Sequence, residues 1–212
     1  MSEPLLQAVN LECERDERTL FRNLSFSILP GTVTRVEGPN GSGKTTLLRI
    51  LAGLNDAWTG ELLWCGEPRH LRRESFLRNM LYLGHRPGIK PLLTPLENLR
   101  ALTAGRYPMD DEVLIRALSG TGLEGFEHVP SRNLSAGQQR RVALARLLIA
   151  DEPLWLLDEV FTAIDAQGVE AIEALLQQRA DEGGAVVVTT HHDLDLPAMQ
   201  RITLGEGDWD DS

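Results

Sequence analysis

The residues Gly38-Pro39-Asn40-Gly41-Ser42-Gly43-Lys44-Thr45 follow the Gly-x-x-x-x-Gly-Lys-Thr order of a phosphate-binding loop. They stand between a short β-branched run, Thr32 to Glu37, and a stretch of helical periodicity. Glycines let backbone N–H groups turn toward phosphate oxygens, and the helix start behind them adds the positive end of its dipole. Lys44 would set a point charge against β- and γ-phosphates, and the Thr45 hydroxyl would complete the shell of a Mg²⁺ ion. Thr46, in the same helical turn, joins the candidate nucleotide contacts. A glycine turn that merely caps a helix would not require the Lys-Thr pair. The expected ligand is ATP with Mg²⁺.

A second pattern ends an apolar run. Leu154 to Leu157 reads as a buried parallel strand, and Asp158-Glu159 closes it with two carboxylates. Asp158 would hold Mg²⁺ and Glu159 would polarise an attacking water. An acidic pair at a strand end is often only a helix cap, so this signal is weaker by itself. Asp151-Glu152-Pro153 is a similar pair that precedes the strand, and it reads as a loop.

A third segment joins these two into one family pattern. Asn133-Leu134-Ser135-Ala136-Gly137-Gln138-Gln139-Arg140-Arg141 resembles the signature motif of ABC ATPases, with Ala136 where glycine is commoner. The resemblance covers essentially the whole chain, with every motif in order. It implies that Ser135, Ala136, Gly137 and Gln138 contact the ATP held by a second, identical subunit. It implies that Phe161 to Asp165 crosses the interface of that homodimer. His191, after the run Ala185 to Thr190, matches the histidine that contacts the γ-phosphate, whereas His70, His128 and His192 have no such context. Arg15 aligns near the aromatic residue that usually stacks on adenine, and a guanidinium can stack there instead. His85 aligns with the glutamine that joins the two lobes and approaches the metal. Val160 replaces the usual proline after Glu159, which alters loop stiffness more than chemistry. Cys13 to Arg18, Gly84-His85 with Pro87 to Lys90, and Gly125 to Glu127 make the chain similar to the ATP-binding subunits of bacterial cytochrome c maturation. That resemblance implies integral inner-membrane partner subunits, a peripheral place on the cytoplasmic face, and ATP hydrolysis that serves release of a haem-loaded periplasmic chaperone. The short chain, with no C-terminal regulatory domain, fits. An ABC ATPase for another cargo would differ mainly in the helical lobe. A soluble ATPase acting on ribosomes or DNA would carry tandem cassettes or a long inserted arm. A non-hydrolysing sensor would not need Glu159 and His191.

The elements that must position these residues alternate in type. Leu5 to Cys13 and Leu24 to Leu29 read as paired strands, Lys44 to Leu54 as a helix, and Glu61 to Trp64 and Met80 to Leu83 as strands. Between His85 and Leu134, prolines 87, 91, 95 and 108 break the chain, and helices are expected over Pro95 to Leu102 and after Asp110. Ser135 starts a helix over Ala136 to Ala150, and Ala166 to Arg179 is another. The expected fold is α/β: a P-loop ABC ATPase with a mostly parallel core sheet, an antiparallel β subdomain and an inserted helical lobe. The α/β lobe would take 1–84 and 151–212, and the helical lobe about 85–150.

Composition is consistent with these expectations. The 212 residues are 42% hydrophobic and 25% charged, enough for one core-forming domain with a lobed insertion. Lys+Arg number 21 against 31 Asp+Glu, a formal charge of −10, which argues against nucleic acid or an anionic lipid surface as the main partner. No apolar run reaches membrane-spanning length, and Met1 to Asn10 lacks a secretion-signal pattern. Cys13 and Cys65 read as small buried residues in a reducing, cytosolic compartment. No Cys-x-x-Cys-His pattern occurs, so no direct haem binding is expected. Arg69, Arg72 and Arg73 read as a solvated helix face, and Glu206 to Asp211 as a frayed acidic end.

Overall fold

The alternating and continuous apolar runs become two sheets in the computed structural model, which describes residues 3–16, 18–105, 109–162, 164–194, 196–197 and 199–205. Glu17, Pro108, Ala163 and the acidic stretch Glu206 to Asp211 lie outside the described residues. In chain order the elements are β1 (Leu6–Arg15), β2 (Arg18–Ile28), β3 (Thr32–Glu37), α1 (Lys44–Leu51), β4 (Thr59–Trp64), β5 (Glu67–Pro68), α2 (Arg73–Arg78) and β6 (Met80–Leu83). Then come α3 (Pro95–Thr103), α4 (Asp111–Gly120), α5 (Ala136–Ala145), β7 (Leu154–Asp158), α6 (Ala166–Asp181), β8 (Ala185–Thr189) and β9 (Gln200–Thr203). The chain divides into two compact units: Met1–Tyr82 with Glu152–Glu159 and Leu176–Ser212, and Leu83–Asp151 with Val160–Leu175.

The first unit holds both sheets. One runs β2-β1-β4-β5 and the other β6-β7-β8-β3-β9. In the first, β1 pairs antiparallel with β2 and β4; in the second, β3 pairs parallel with β8 and β9, and β7 with β8. Every residue of β7 and β8 is buried, which is why their sequences show no polar alternation. Leu47, Leu48, Ile50 and Leu51 of α1 bury completely in the same core as Leu154, Leu156 and Val187. The sequence periodicity ran α1 on to Leu54. The helix stops at Leu51 because Gly53 takes a left-handed φ of 72°, and Leu54 turns outward.

Two further expectations in this unit are corrected. Cys65 is exposed, not buried: it sits at a positive φ in the turn after β4, where Trp64 has already taken the inward position. Arg69 is not part of a solvated face. Its Nη1 donates to the carbonyls of Ile50 and Leu51 at 2.6 and 3.1 Å, supplying donors that the end of α1 lacks. Its guanidinium lies 5.7 Å from the Trp58 ring centroid and 5.5 Å from that of Phe76, and burial pushes its pKa down. Only Arg72, paired with Glu67, and Arg73 face solvent. Sequence periodicity misses β9, because only Ile202 of its four residues is buried.

The second unit is built on α3, α4 and α5. Leu96, Leu99, Leu114, Leu118, Leu123, Leu134 and Val142 form its own core. Asn98, 2% exposed, stitches the loop before α3: its amide donates to the Lys90, Leu93 and Thr94 carbonyls and to Ser131 Oγ, while its oxygen accepts from Lys90 N–H. α5 ends at Ala145 rather than Ala150, and Arg146–Leu148 tighten into a 3₁₀ turn, as the last turns of helices often do. No helix among the described residues is long and apolar enough to cross a membrane.

Candidate nucleotide-binding site

The loop 38–43 leaves the C-terminal end of β3, a buried central strand, and delivers the chain to α1. Gly38 has φ 144°, and a Cβ there would collide with the Leu204 carbonyl oxygen, so the tight exit from the strand demands glycine. Gly43 caps α1 in a left-handed conformation with no side-chain cap, which leaves the helix N–H groups to a ligand. Lys44 is 9% exposed and its Nζ donates to the carbonyls of Gly38 (2.7 Å) and Pro39 (3.1 Å), holding the charge against the loop. Ser42 Oγ is buried with no hydrogen-bond partner among the described residues. A phosphate oxygen is the acceptor that would satisfy it.

Register brings the acidic pair to the loop. Asp158 pairs with Thr189 across the parallel β7–β8 ladder. Asp158 is 1% exposed, and its Oδ1 accepts from Thr45 Oγ1 at 3.1 Å and from Thr189 Oγ1 at 2.7 Å. The next residue, Glu159, adopts φ 53°, and its N–H donates to both the Thr189 carbonyl (3.0 Å) and Thr189 Oγ1 (3.1 Å). That grip turns the Glu159 carboxylate toward His191, whose Nε2 lies 3.5 Å from Oε1. Thr189 was not singled out in the sequence; its only signal there was its place at the end of the strand before His191.

Thr45 Oγ1 and Asp158 Oδ1 are hard oxygens 3.1 Å apart. Two neighbouring ligands of an octahedral Mg²⁺, each about 2.1 Å from the ion, lie about 3 Å apart, so the pair fits that metal. The described residues contain no group of three or more His, Cys, Asp or Glu side chains that could hold a metal alone. Substrate phosphates and water would complete the shell, as Mg²⁺ prefers.

The remaining candidates stand elsewhere. Arg15, at the end of β1, is exposed and pairs with Asp16 at 3.3 Å. Pro39, Asn40 and Gly41 are exposed on the loop, and Thr46 is half-buried beside Thr45. Ser135, Ala136, Gly137 and Gln138 belong to the second unit, as does His85. Ser135 Oγ accepts from Gln138 N–H (3.2 Å) and Gln138 Oε1 accepts from Ser135 N–H (2.9 Å), a reciprocal cap that opens α5. His85 is exposed, and its carbonyl accepts from Arg140 Nη1.

A phosphate-binding loop leaving a parallel sheet, with an Asp-Glu pair at the end of a strand one position removed in the same sheet, defines a P-loop nucleoside triphosphatase. Similarity to known proteins narrows that class. Residues 21–162 match the family model described as ABC transporter. The cytochrome c biogenesis ATP-binding export protein CcmA of Hahella chejuensis is 56% identical over 203 residues, covering 95% of this chain and 96% of that protein. Its namesake in Vibrio cholerae is 51% identical over 205 residues, 95% and 99% of the two chains. A dimeric ATP-binding cassette solved in a post-hydrolysis state with ADP and phosphate superposes with a TM-score of 0.75 at 28% identity, covering 88% of each chain. The chain therefore belongs to the ABC transporter family, among the ATP-binding subunits that bind and hydrolyse ATP, and within it to the CcmA-like cytochrome c biogenesis proteins.

Proposed function

We propose that this chain is the ATP-hydrolysing subunit of an inner-membrane complex for cytochrome c maturation, bound peripherally at the cytoplasmic face. Near-full-length identity of 56% to a cytochrome c biogenesis ATP-binding export protein supports the pathway. The observation that carries the chemistry is Glu159, held by Thr189 between Asp158 and His191. Lys44 and the N–H groups at the start of α1 bind the β- and γ-phosphates, and Thr46 and Ser42 line the same turn. Thr45 and Asp158 hold Mg²⁺, which when bound neutralises charge developing on the transferred phosphoryl group. Glu159 orients the attacking water and takes its proton, and His191 faces the γ-phosphate. His85 takes the role of the family's glutamine toward the metal, and Arg15 stacks on adenine. Two copies enclose two ATP molecules, each also meeting the partner subunit's Ser135 at the α5 start, where the helix dipole presents its positive end. Closing and opening of that pair drives the membrane subunits and release of a haem-loaded periplasmic chaperone; the chain itself does not hold haem.

The test is Glu159→Gln in the assembled complex. ATP binding should persist while turnover falls by roughly 10²–10⁴-fold, the range of general-base catalysis. Haem should still load onto the periplasmic acceptor, whereas mature c-type cytochromes should be missing. Near-normal turnover would remove Glu159 from the mechanism, and normal cytochrome assembly would remove the pathway.

A further inference from the structure

We infer that Arg140 is a positioning residue of the ATPase cycle, locking the His85 loop to the helix that begins at Ser135. Its Nη1 donates to the carbonyl oxygens of Gly84 at 3.0 Å and His85 at 3.1 Å. Those two residues follow Leu83, the last residue of β6, where the strand has ended. The guanidinium is permanently charged and only 5% of Arg140 is exposed. Burying a cation is costly unless its donors are used, and charge-assisted hydrogen bonds are about twice as strong as neutral ones. The pair of carbonyls is therefore held more firmly than solvent would hold it.

At the start of the helix, Ala136 stands four residues before Arg140 and so on the same face of α5. The Ser135–Gln138 cap stiffens the first turn, and Gln139 Nε2 ties that turn to the Ser131 and Leu134 carbonyls at 2.9 and 3.2 Å. A shift of the His85 backbone is then carried through Arg140 into the helix start, and the reverse. This inference rests on the proposed reading, in which His85 serves the chain's own nucleotide and Ser135 the partner's. Under that reading Arg140 links the two nucleotides of the dimer, because it joins the loop that faces one to the helix that faces the other.

The experiment is a double-mutant cycle on the full-length chain co-purified with its membrane subunits, reading kcat and KM for ATP. Arg140→Met keeps an unbranched, flexible stem and removes every donor. It should lower kcat about tenfold, a decade being the size of one lost hydrogen bond to a charged group, and leave KM nearly unchanged. Arg140→Lys should recover part of that loss, and it remains informative if Arg140→Met folds poorly, which the thermal midpoint reports. His85→Ala should also slow turnover, and adding Arg140→Met to it should change kcat by less than about twofold, since both act through one loop. Losses that multiply in the double variant would overturn the inference, as would wild-type kcat in Arg140→Met. If His85→Ala turns over normally while Glu159→Gln is dead, the ATPase reading stands and this inference falls. An active Glu159→Gln would instead overturn the underlying reading.

Discussion

Thr189 does two jobs with one hydroxyl. Oγ1 donates to Asp158 Oδ1 and accepts from Glu159 N–H, so it sets both carboxylates at once. Glu159 pays for its place with a left-handed backbone, φ 53°, a conformation that costs about 1–3 kcal/mol in a residue with a side chain. Thr189→Val keeps the shape and removes the hydroxyl from a site that is fully buried. Losing the partner of a buried group costs about 1–3 kcal/mol. Thermal denaturation of the apo chain should show a loss in that range, and kcat should fall by about tenfold or more as Glu159 relaxes. Wild-type turnover in Thr189→Val would show that Glu159 holds its geometry without this hydroxyl.

At the scale of elements, α3 and α5 open with the same reciprocal cap, written Thr94–Glu97 in one and Ser135–Gln138 in the other. The difference is charge. The Thr94 backbone N–H donates to the Glu97 carboxylate, and Thr94 Oγ1 accepts from Glu97 N–H. The hydrogen bonds with Thr94, backbone first, hold the Glu97 carboxyl below its ordinary value of 4.5. A carboxyl depressed on folding adds stability that is complete above its unfolded value and vanishes as pH falls through the folded one. Thr94→Ala should therefore destabilise the chain by about 1 kcal/mol at neutral pH, the usual cost of a lost N-cap. Glu97→Gln should melt below wild type at neutral pH, and the gap should close as pH falls through the lowered value of the folded Glu97 carboxyl. Ser135→Ala, whose partner is neutral, should show no such closure in a pH series. A gap for Glu97→Gln that persists at acid pH would assign its effect to something other than the carboxylate.

For the whole molecule, the proposed function requires a second copy. The phosphate-binding loop and Ser135 lie in different units of the chain, and a solved ATP-binding cassette with 28% identity is dimeric. Identical chains that exchange such surfaces form an isologous, two-fold pair. Because ATP would sit inside the contact, it should stabilise the pair by linkage. Light scattering of Glu159→Gln with its membrane subunits or alone should show pairing when saturating ATP and Mg²⁺ are added, and loss of pairing on exchange to ADP. A chain that stays monomeric in saturating ATP would contradict the shared site.

Contiguous chemistry was legible in the residue order. Gly38 to Thr45 dictates its own backbone path, because glycine at positive φ and an uncapped helix start are local properties. The uninterrupted apolar runs of β7 and β8 likewise announced strands covered on both faces, and Asp158-Glu159 marked where one of them ends. Pairings across long sequence separations were not legible. Asp158 and Thr189 are 31 residues apart, and only the parallel register of β7 on β8, set by core packing, puts the two oxygens at 2.7 Å. Arg69 looked like any surface arginine until the end of α1 supplied carbonyls for it to bind. Arg140 stood unremarked in the signature-motif segment, and its burial and its hydrogen bonds to the Gly84 and His85 carbonyls belong to the folded chain alone. The residue order by itself determined which groups could bind phosphate and move a proton. The tertiary structure alone decided which distant hydroxyls, carbonyls and guanidinium groups hold them in place, since those partners meet only after the sheet and the helices have packed.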